Sequence, residues 1–222
     1  MNDQTNSLDW NEDGVPISQR FDDPYFSLQD GLAETRHVFL QGNDLPERFC
    51  DGFHIAELGF GTGLNLLASL HAWRAARVQG RLRFTSFEAY PLEPMQMRTA
   101  LLAFPELADL ADALLAGLGP KGAELEDLIF TLITDDARAA LPIWQQQADA
   151  WFLDGFSPAK NPELWEAELM RAVVAHTKPN GTFATYTAAG FVRRALDDAG
   201  FNIQRVAGFG RKRHMSVGVK RG

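Results

Sequence analysis

Residues able to bind or react with a ligand gather where apolar runs of this sequence end. The first run, FHIAEL (53–58), leads into ELGFGTGLN, where Glu57 precedes Gly59, Gly61 and Gly63. Glycines let a backbone turn tightly and approach a ligand closely, and the amides of a following helix N-terminus can face that ligand. The string therefore predicts a ligand-binding loop between a strand and a helix.

The spacing of these glycines distinguishes between ligand classes. A dinucleotide fingerprint, G-x-G-x-x-G, needs its third glycine at position 64, where Leu64 stands, and no Gly-Lys-Ser/Thr follows. A carboxylate such as Glu57 suits a ligand with a cationic amino group and a sulfonium, and would repel phosphates. The pattern favours S-adenosylmethionine, and Asn65 is assigned to the same pocket; a glycine turn without a ligand is the alternative.

Acidic residues also end the second and third apolar runs. LRFTSFE (82–88) ends in Glu88, where a carboxylate commonly accepts ribose hydroxyls in open α/β sheets. LIFTLITDD ends in Asp135 and Asp136, either of which can accept the adenine amino group or cap the helix that follows. We favour Asp136 for adenine. The alternative for Glu88 is a solvated loop carboxylate.

The fourth run, ADAWFLD (148–154), leads into DGFSPAKNPELW (154–165). Methyl transfer from a sulfonium to an amine needs alignment and an unprotonated nitrogen. Asp154 can orient such an amine, stabilise its charge or accept its proton, and Phe156 can stack on a splayed base. The alternative is a plain Asp-Gly turn beside a core aromatic residue.

Strands and helices alternate after Gly52, which predicts a parallel sheet with right-handed crossovers and helices on both faces. The last two strands follow one another without a helix, which predicts an antiparallel edge hairpin. This pattern resembles the seven-stranded, Rossmann-like arrangement of class I methyltransferases, and that resemblance implies the order of the strands in the sheet. The predicted strands are residues 53–58, 82–88, 128–136, 148–154, 181–187, 201–209 and 214–220, and the helices 64–77, 137–147, 162–177 and 188–199.

Length and composition set the remaining bounds. The 222 residues, 45% hydrophobic and 23% charged, suit one α/β domain. We predict that residues 1–50 form an N-terminal extension packed on the core, with a short helix near 31–40, and that residues 51–222 form the domain. No apolar run approaches the ~20 residues that span a bilayer, and MNDQTNSLDW is not a secretory signal. With one cysteine, Cys50, we expect a cytoplasmic protein.

The net charge of −8 argues against a general nucleic-acid binder, but the charges are unevenly distributed. Residues 191–222 contain eight Lys or Arg and two Asp, a net charge of +6, whereas residues 1–190 carry −14. The basic tail is either a phosphate-binding face or only a solvated surface of the last strands.

Five strings resemble the methyltransferase domain of the bacterial tRNA-modifying enzymes of the MnmC family. They are DDPYFSLQDGLAETRHVFLQGN (22–43), ELGFGTGLN (57–65), WFLDGFSPAKNPELW (151–165), AAGFVRRALDDAGF (188–201) and GFGRKRHM (208–215). They run from near the N-terminus to near the C-terminus, so the resemblance extends over almost the whole chain, and the third and fifth are far more specific than the glycine loop.

The resemblance implies methylation, by S-adenosylmethionine, of 5-aminomethyl-(2-thio)uridine to its 5-methylaminomethyl form at the tRNA wobble position. It places Glu57, the three loop glycines, Glu88 and Asp136 in the cofactor pocket, and Asp154 and Phe156 at the amine. It leaves the roles of Tyr25, Glu34 and Arg36 unassigned. The residues predicted to contact tRNA are Tyr25, Arg36, Pro158, Lys160, Arg193, Arg194, Arg211, Lys212 and Arg213.

The resemblance does not extend to the C-terminal FAD-dependent domain of the two-domain family members. We therefore expect no flavin in this chain, and an aminomethyl substrate supplied by such a domain or by a separate enzyme. Two other functions stay open: methylation of a different amine, on a small molecule or protein, and a non-catalytic module that binds S-adenosylmethionine. A metal site is not expected, because the five histidines show no ligand spacing.

Overall fold

The computed structural model describes residues 8–222, so the predictions for Met1–Ser7 lie outside the described part of the chain. Residues 8–222 form a small sheet of strands β1–β3 and a large sheet of strands β4–β11. The strands are β1 Leu8–Trp10, β2 Pro16–Ser18, β3 Asp23–Pro24, β4 His54–Leu58, β5 Leu82–Phe87, β6 Gly122–Leu125, β7 Leu128–Ile133, β8 Ala148–Leu153, β9 Thr177–Thr185, β10 Phe201–Ala207 and β11 His214–Lys220.

The large sheet has the order β10-β11-β9-β8-β4-β5-β7-β6. Its five central strands, from β9 to β7, are parallel, and β10 and β11 form the predicted antiparallel hairpin at one edge. The prediction of seven strands was wrong by one, because β6 pairs antiparallel with β7 at the opposite edge. This strand is only four residues long and begins at a glycine, so it carries almost no apolar alternation.

Seven α-helices connect or flank these strands. The helix α5 continues into a 3-10 turn, Leu141–Ile143, and α6 is preceded by another, Pro162–Trp165, so the predicted helices there are shorter than expected. The helices are α1 Gly31–Thr35, α2 Leu64–Ala75, α3 Pro94–Leu101, α4 Ala108–Gly117, α5 Ala137–Ala140, α6 Ala167–Ala175 and α7 Gly190–Ala199.

Two clusters of buried side chains lie on opposite faces of the large sheet, as strand alternation requires. In β8, Phe152 joins the cluster formed with α2, α3 and α4, whereas its neighbour Trp151 joins the cluster formed with α5, α6 and α7. Both rings are fully buried. The helices therefore cover both faces, as predicted.

The segment before β4 packs against the large sheet. The helix α1 continues through a π-helical turn, Arg36–Leu40, to a 3-10 turn that ends at Asn43. The buried Asn43 donates to the Phe39 carbonyl at 2.9 Å, and its Oδ1 accepts from the hydroxyl of Thr182 in β9 at 2.6 Å. The division of the chain at residue 50 stays a prediction, although the segment is more ordered than its sequence indicated.

The chain reverses its direction of travel across the sheet between β4 and β8. From β4 it proceeds to β5 and β7 on one side, and then returns to β8 and β9 on the other. Ligands of open α/β sheets bind at such a switch point, beyond the carboxyl ends of the strands. Among residues 8–222, no helix is long and apolar enough to cross a bilayer.

Candidate functional site

A cavity of about 860 Å³ opens at the carboxyl ends of β4, β5 and β8. Its walls come from the glycine loop, the loops after the two neighbouring strands, the N-terminal segment and the β10–β11 connection. The predicted site residues that line it are Tyr25, Gly59, Gly61, Asn65, Glu88, Asp136, Asp154, Phe156, Arg211 and Lys212.

The glycine loop is in direct contact with the Asp154 loop. Gly59 has φ +89°, and a side-chain carbon there would overlap the backbone carbonyl of Asp154. Gly63, with φ +82°, precedes the first residue of α2. Both positions need glycine because of their left-handed backbone, and at Gly59 also because of the close approach.

Glu88 holds the glycine loop in shape. Its Oε2 accepts the amides of Phe60 at 3.0 Å and Gly61 at 3.1 Å, and its Oε1 accepts the amide of Tyr90 at 2.8 Å. Burial raises the pKa of this carboxyl, while the three backbone hydrogen bonds oppose that rise. Oε2 thus accepts two hydrogen bonds and Oε1 only one, so Oε1 keeps a lone pair for a further donor, and the assignment of Glu88 to the ribose stays a prediction.

Glu57 lies beneath the loop and does not reach the cavity. It is fully buried, and its two oxygens accept from Asn65 Nδ2 at 2.9 Å and Ser86 Oγ at 2.7 Å. Glu57 is not among the cavity-lining residues and both of its oxygens are bonded within the protein, so its contact with the ligand stays a prediction. Burial raises the pKa of this carboxyl well above its usual value, despite these two hydrogen bonds.

Asn65 connects Glu57 to Asp154. The amide Nδ2 of Asn65 also donates to Asp154 Oδ2 at 2.7 Å, while its Oδ1 accepts the Thr35 hydroxyl at 2.9 Å. The side-chain amide of Asn65 thus donates both of its protons to carboxylates, and the hydrogen bond from the Thr35 hydroxyl fixes its orientation. Asn65, which lines the cavity, and Glu57 beneath it hold Asp154 in place, and the predicted contacts of both with the cofactor stay predictions.

Asp154 is the carboxylate best suited to exchange a proton near neutral pH. Burial raises its pKa to about 7, a rise that the Asn65 hydrogen bond opposes and the charge of Glu34 reinforces. Lys212 lowers the same pKa by its positive charge. A carboxylate with a pKa near 7 is matched to general acid–base work at physiological pH.

An aromatic cluster covers the Asp154 loop. Phe156 stacks on Phe21, with ring centroids 4.7 Å apart, and Tyr25 meets it edge-on at 5.1 Å. Ser157 donates its amide to Asp23 at 2.7 Å, so the N-terminal segment is bonded to this loop. Phe156 can stack on a base only where Phe21 moves aside, which the sequence did not indicate.

Tyr186, Glu34 and Lys212 meet on another wall of the cavity. The Tyr186 hydroxyl donates to the carbonyl of Gly155 at 2.7 Å. Lys212 Nζ lies 2.8 Å from Glu34 Oε1 and 4.2 Å from the centroid of the Tyr186 ring. Lys212, predicted as a contact to the tRNA backbone, therefore points into the cavity.

Asp136 lies on the wall of the cavity as the N-cap of α5. Its Oδ1 accepts the amide of Arg138 at 2.9 Å, and it forms an ion pair with the same side chain at 2.6 Å, which lowers its pKa. Asp135 is exposed and lies outside the cavity lining. The geometry thus favours Asp136 over Asp135, and the adenine contact itself stays a prediction.

The other residues predicted to contact tRNA lie outside the cavity lining. Arg36 forms two hydrogen bonds with Glu106, and Lys160 forms an ion pair with Asp22. Pro158 follows the Asp154 loop and is half-buried. Arg193 and Arg194 lie on α7 and Arg213 in the β10–β11 connection.

Sequence reasoning missed three residues that shape the site: Phe21, Thr35 and Tyr186. One signal was available for Tyr186, since it comes directly after a buried strand, β9, as Glu88 and Asp154 follow β5 and β8. Phe21 and Thr35 belong to a segment without strong periodicity, and only the folded chain brings them to the cavity.

The family described as S-adenosyl-L-methionine-dependent methyltransferase matches residues 111–221. The chain belongs to this family. Two curated proteins similar to this chain are both named tRNA 5-methylaminomethyl-2-thiouridine biosynthesis bifunctional protein MnmC, from Pseudomonas aeruginosa strains PAO1 and UCBPP-PA14. They are 46% and 45% identical over 97% of this chain, which spans about a third, 35%, of each relative.

Solved structures of methyltransferases share the fold. The crystal structure of MNMC2 from Aquifex aeolicus superposes with a TM-score of 0.79 and 27% identity, covering 96% of this chain and 69% of that one. Precorrin-6y C5,15-methyltransferase from Geobacter metallireducens, at 16% identity and a TM-score of 0.54, shows the same fold over 96% of this chain and 98% of its own.

The residues of the cavity fit the methyl donor of this family. Its sulfonium and amino group are cationic, and Asp154 and Glu88 present carboxylates beside the loop. Gly59 and Gly61 line the cavity with backbone alone, which lets a donor approach the loop closely and gives the methyl-donor cradle its floor. The volume of about 860 Å³ also has room for a second, reacting molecule.

Proposed function

We propose that this chain methylates the primary amine of 5-aminomethyl-(2-thio)uridine at the tRNA wobble position, with S-adenosylmethionine as methyl donor. The observation that carries the proposal is the single cavity that joins a methyl-donor cradle to Asp154. The identity of 46% with proteins named for 5-methylaminomethyl-2-thiouridine biosynthesis supports this substrate over other amines.

The residues of the chain have distinct parts in this reaction. S-adenosylmethionine would supply a methyl group on a cationic sulfur, and attack of the unprotonated amine on the methyl carbon would break the carbon–sulfur bond, with the neutral thioether as leaving group. Glu88 and the loop glycines hold the donor, Asp136 lies at its adenine end, and Asp154 accepts the proton that the amine must lose. Asn65, fixed by Glu57 and Thr35, aims the Asp154 carboxylate.

The tRNA lies, in this proposal, on the basic surface around the mouth of the cavity. Arg211 lines the cavity, and Arg213 follows it on the same exposed connection. Arginines there can contact phosphates on either side of a splayed wobble base. The aminomethyl group is supplied by a second activity, on an FAD-dependent domain or a separate enzyme, and the reaction takes place in the cytoplasm.

The decisive experiment is mass spectrometry of wobble nucleosides. The purified protein is incubated with S-adenosylmethionine and tRNA from cells that accumulate 5-aminomethyl-2-thiouridine. We expect a mass increase of one methyl group on that nucleoside, and none on tRNA that lacks the aminomethyl group. Methyl uptake by small amines with none by the aminomethyl tRNA would contradict the proposal and favour another acceptor.

A further inference from the structure

The position of Lys212 is unusual for a residue of a basic surface loop. Its ammonium enters the cavity, 2.8 Å from Glu34 Oε1 and 4.2 Å from the centre of the Tyr186 ring. The Glu34 side chain is only 13% exposed, so this ion pair is largely withdrawn from water on the carboxylate side. Arg211 and Arg213, its neighbours, show no comparable contact with either residue among the described hydrogen bonds and ion pairs.

Glu34 and Tyr186 together are what a primary ammonium requires. A carboxylate accepts its protons and an aromatic face attracts its charge, and each contact strengthens as water is removed. Tyr186 cannot turn away, because its hydroxyl is bonded to the Gly155 carbonyl and its ring packs edge-on against Trp165. Glu34 lies on α1, one residue before Thr35, whose hydroxyl orients Asn65.

This ammonium position is electrostatically part of the Asp154 site. The charges of Glu34 and Lys212 shift the pKa of Asp154 in opposite directions, upward and downward respectively. Burial raises the pKa of Tyr186, and the charges of Asp154, Asp23 and Glu34 raise it further. Asp154, Asp23, Glu34 and the Tyr186 ring all line the same cavity, the chamber in which their negative charges attract cations.

We propose that Glu34 and Tyr186 form the subsite that binds the primary ammonium of the methyl acceptor, and that Lys212 occupies this subsite until the acceptor displaces it. The inference rests on the proposed function, since it concerns the acceptor of the same reaction. The lysine side chain and the aminomethyl group of the acceptor both end in CH2–NH3⁺, so each satisfies the same partners.

The location of Lys212 allows this exchange. It lies in the connection between β10 and β11, where Gly210 has φ +56° and the lysine side chain is 46% exposed. An acceptor ammonium that enters the chamber leaves Lys212 free to turn toward a phosphate at the mouth of the cavity. Binding of the amine and binding of the tRNA backbone are thereby coupled through one side chain.

The test measures binding rather than turnover. The nucleoside 5-aminomethyluridine is titrated into the protein by calorimetry or ligand-observed NMR, with 5-hydroxymethyluridine as a neutral comparison. K212M removes the competing ammonium, and we expect it to bind 5-aminomethyluridine roughly three- to tenfold more tightly than the unmodified chain. E34Q is expected to bind the same nucleoside roughly tenfold more weakly.

Matched controls separate these effects from a general loss of charge. K121M and E168Q make the same chemical changes on the exposed turn before β6 and on α6. Neither is expected to alter the affinity for either nucleoside, and 5-hydroxymethyluridine is expected to bind all five proteins alike. The preference for the aminomethyl nucleoside should therefore change in K212M and E34Q alone.

Several outcomes overturn the inference. An unchanged affinity for 5-aminomethyluridine in K212M would show that Lys212 only connects the β10–β11 connection to α1. A weaker affinity would show that Lys212 itself contacts the nucleoside. An unchanged affinity in E34Q, or no preference for the amine in any variant, removes the subsite. Failure of the proposed function would be seen in a different experiment, the mass spectrometry of wobble nucleosides, where the unmodified protein would leave them unmethylated.

Discussion

The carboxyl end of the parallel strands and the β10–β11 connection both contain predicted site residues, but in different physical states. At the strand ends, Asn65, Glu57 and Asp154 form a buried chain of hydrogen bonds between 2.7 and 2.9 Å. In the connection, Arg211 and Arg213 are exposed. Changes in the first region should therefore alter chemistry and stability steeply, whereas changes in the second should act through charge and salt.

The largest effect is expected from Asp154→Ala. Loss of the proton acceptor should lower kcat/KM for methyl transfer about 10²- to 10⁴-fold while the affinity for S-adenosylmethionine changes little. Methylation kinetics and calorimetric titration with the donor measure the two quantities. Asp109→Asn, on the exposed face of α4, is the control. Retained turnover in Asp154→Ala would show that this carboxylate is not the proton acceptor.

Gly59→Ala tests the contact between the two loops. A side-chain carbon at this left-handed position overlaps the Asp154 carbonyl, so we expect a loss of roughly 1–3 kcal/mol in the free energy of unfolding, together with weaker donor binding. Urea denaturation and donor titration measure these changes. Gly117→Ala, where an added carbon meets nothing within 4 Å, should leave both unchanged. Equal behaviour of the two variants refutes the close approach.

The raised pKa of Asp154 predicts a pH dependence of stability. Between an unfolded pKa near 4 and the folded value of about 7, the folded chain binds more protons, so this carboxyl makes the protein less stable as the pH rises through that window. Asp154→Asn lacks the effect. Its stability relative to the unmodified chain should therefore increase from pH 4 to pH 8, by on the order of 1–3 kcal/mol.

Urea denaturation of both proteins at several pH values measures this difference. Subtracting the two curves removes the contribution of Glu88, whose pKa is also raised by burial, and leaves at Glu57 only the part that the charge of Asp154 adds. A difference that does not vary between pH 4 and pH 8 would mean that the Asp154 carboxyl titrates at its ordinary value.

The smallest expected effect belongs to the exposed connection. Charge reversal at Arg211 and Arg213 should weaken tRNA binding roughly tenfold and reduce the slope of log affinity against log salt by about 2. The same reversal at Arg77 and Arg98, exposed residues near α2 and on α3, is the control. An unchanged salt slope in the Arg211 and Arg213 variant removes this surface from the proposed tRNA path.

Sequence reasoning was most successful where the information is local. Apolar runs predicted the seven strands from β4 to β11 other than β6, and the glycine spacing predicted the loop before α2. Glu88 and Asp154 directly follow buried strands and Asp136 comes three residues after one, and all three line the cavity. The same reasoning did not indicate that Glu57 is buried beneath the loop, because it identifies a residue near a strand end but not the direction of its side chain.

The sequence by itself determined the succession of strands and helices along the chain, the glycine loop and the acidic residues at the strand ends, because periodicity and turn chemistry act over a few residues. Only the tertiary structure decided which side chains share the cavity. Asn65 and Asp154 are 89 residues apart, and Glu34 and Lys212 are 178 apart. Such contacts depend on how the strands are ordered across the sheet and how the N-terminal segment covers it, and no local pattern encodes either.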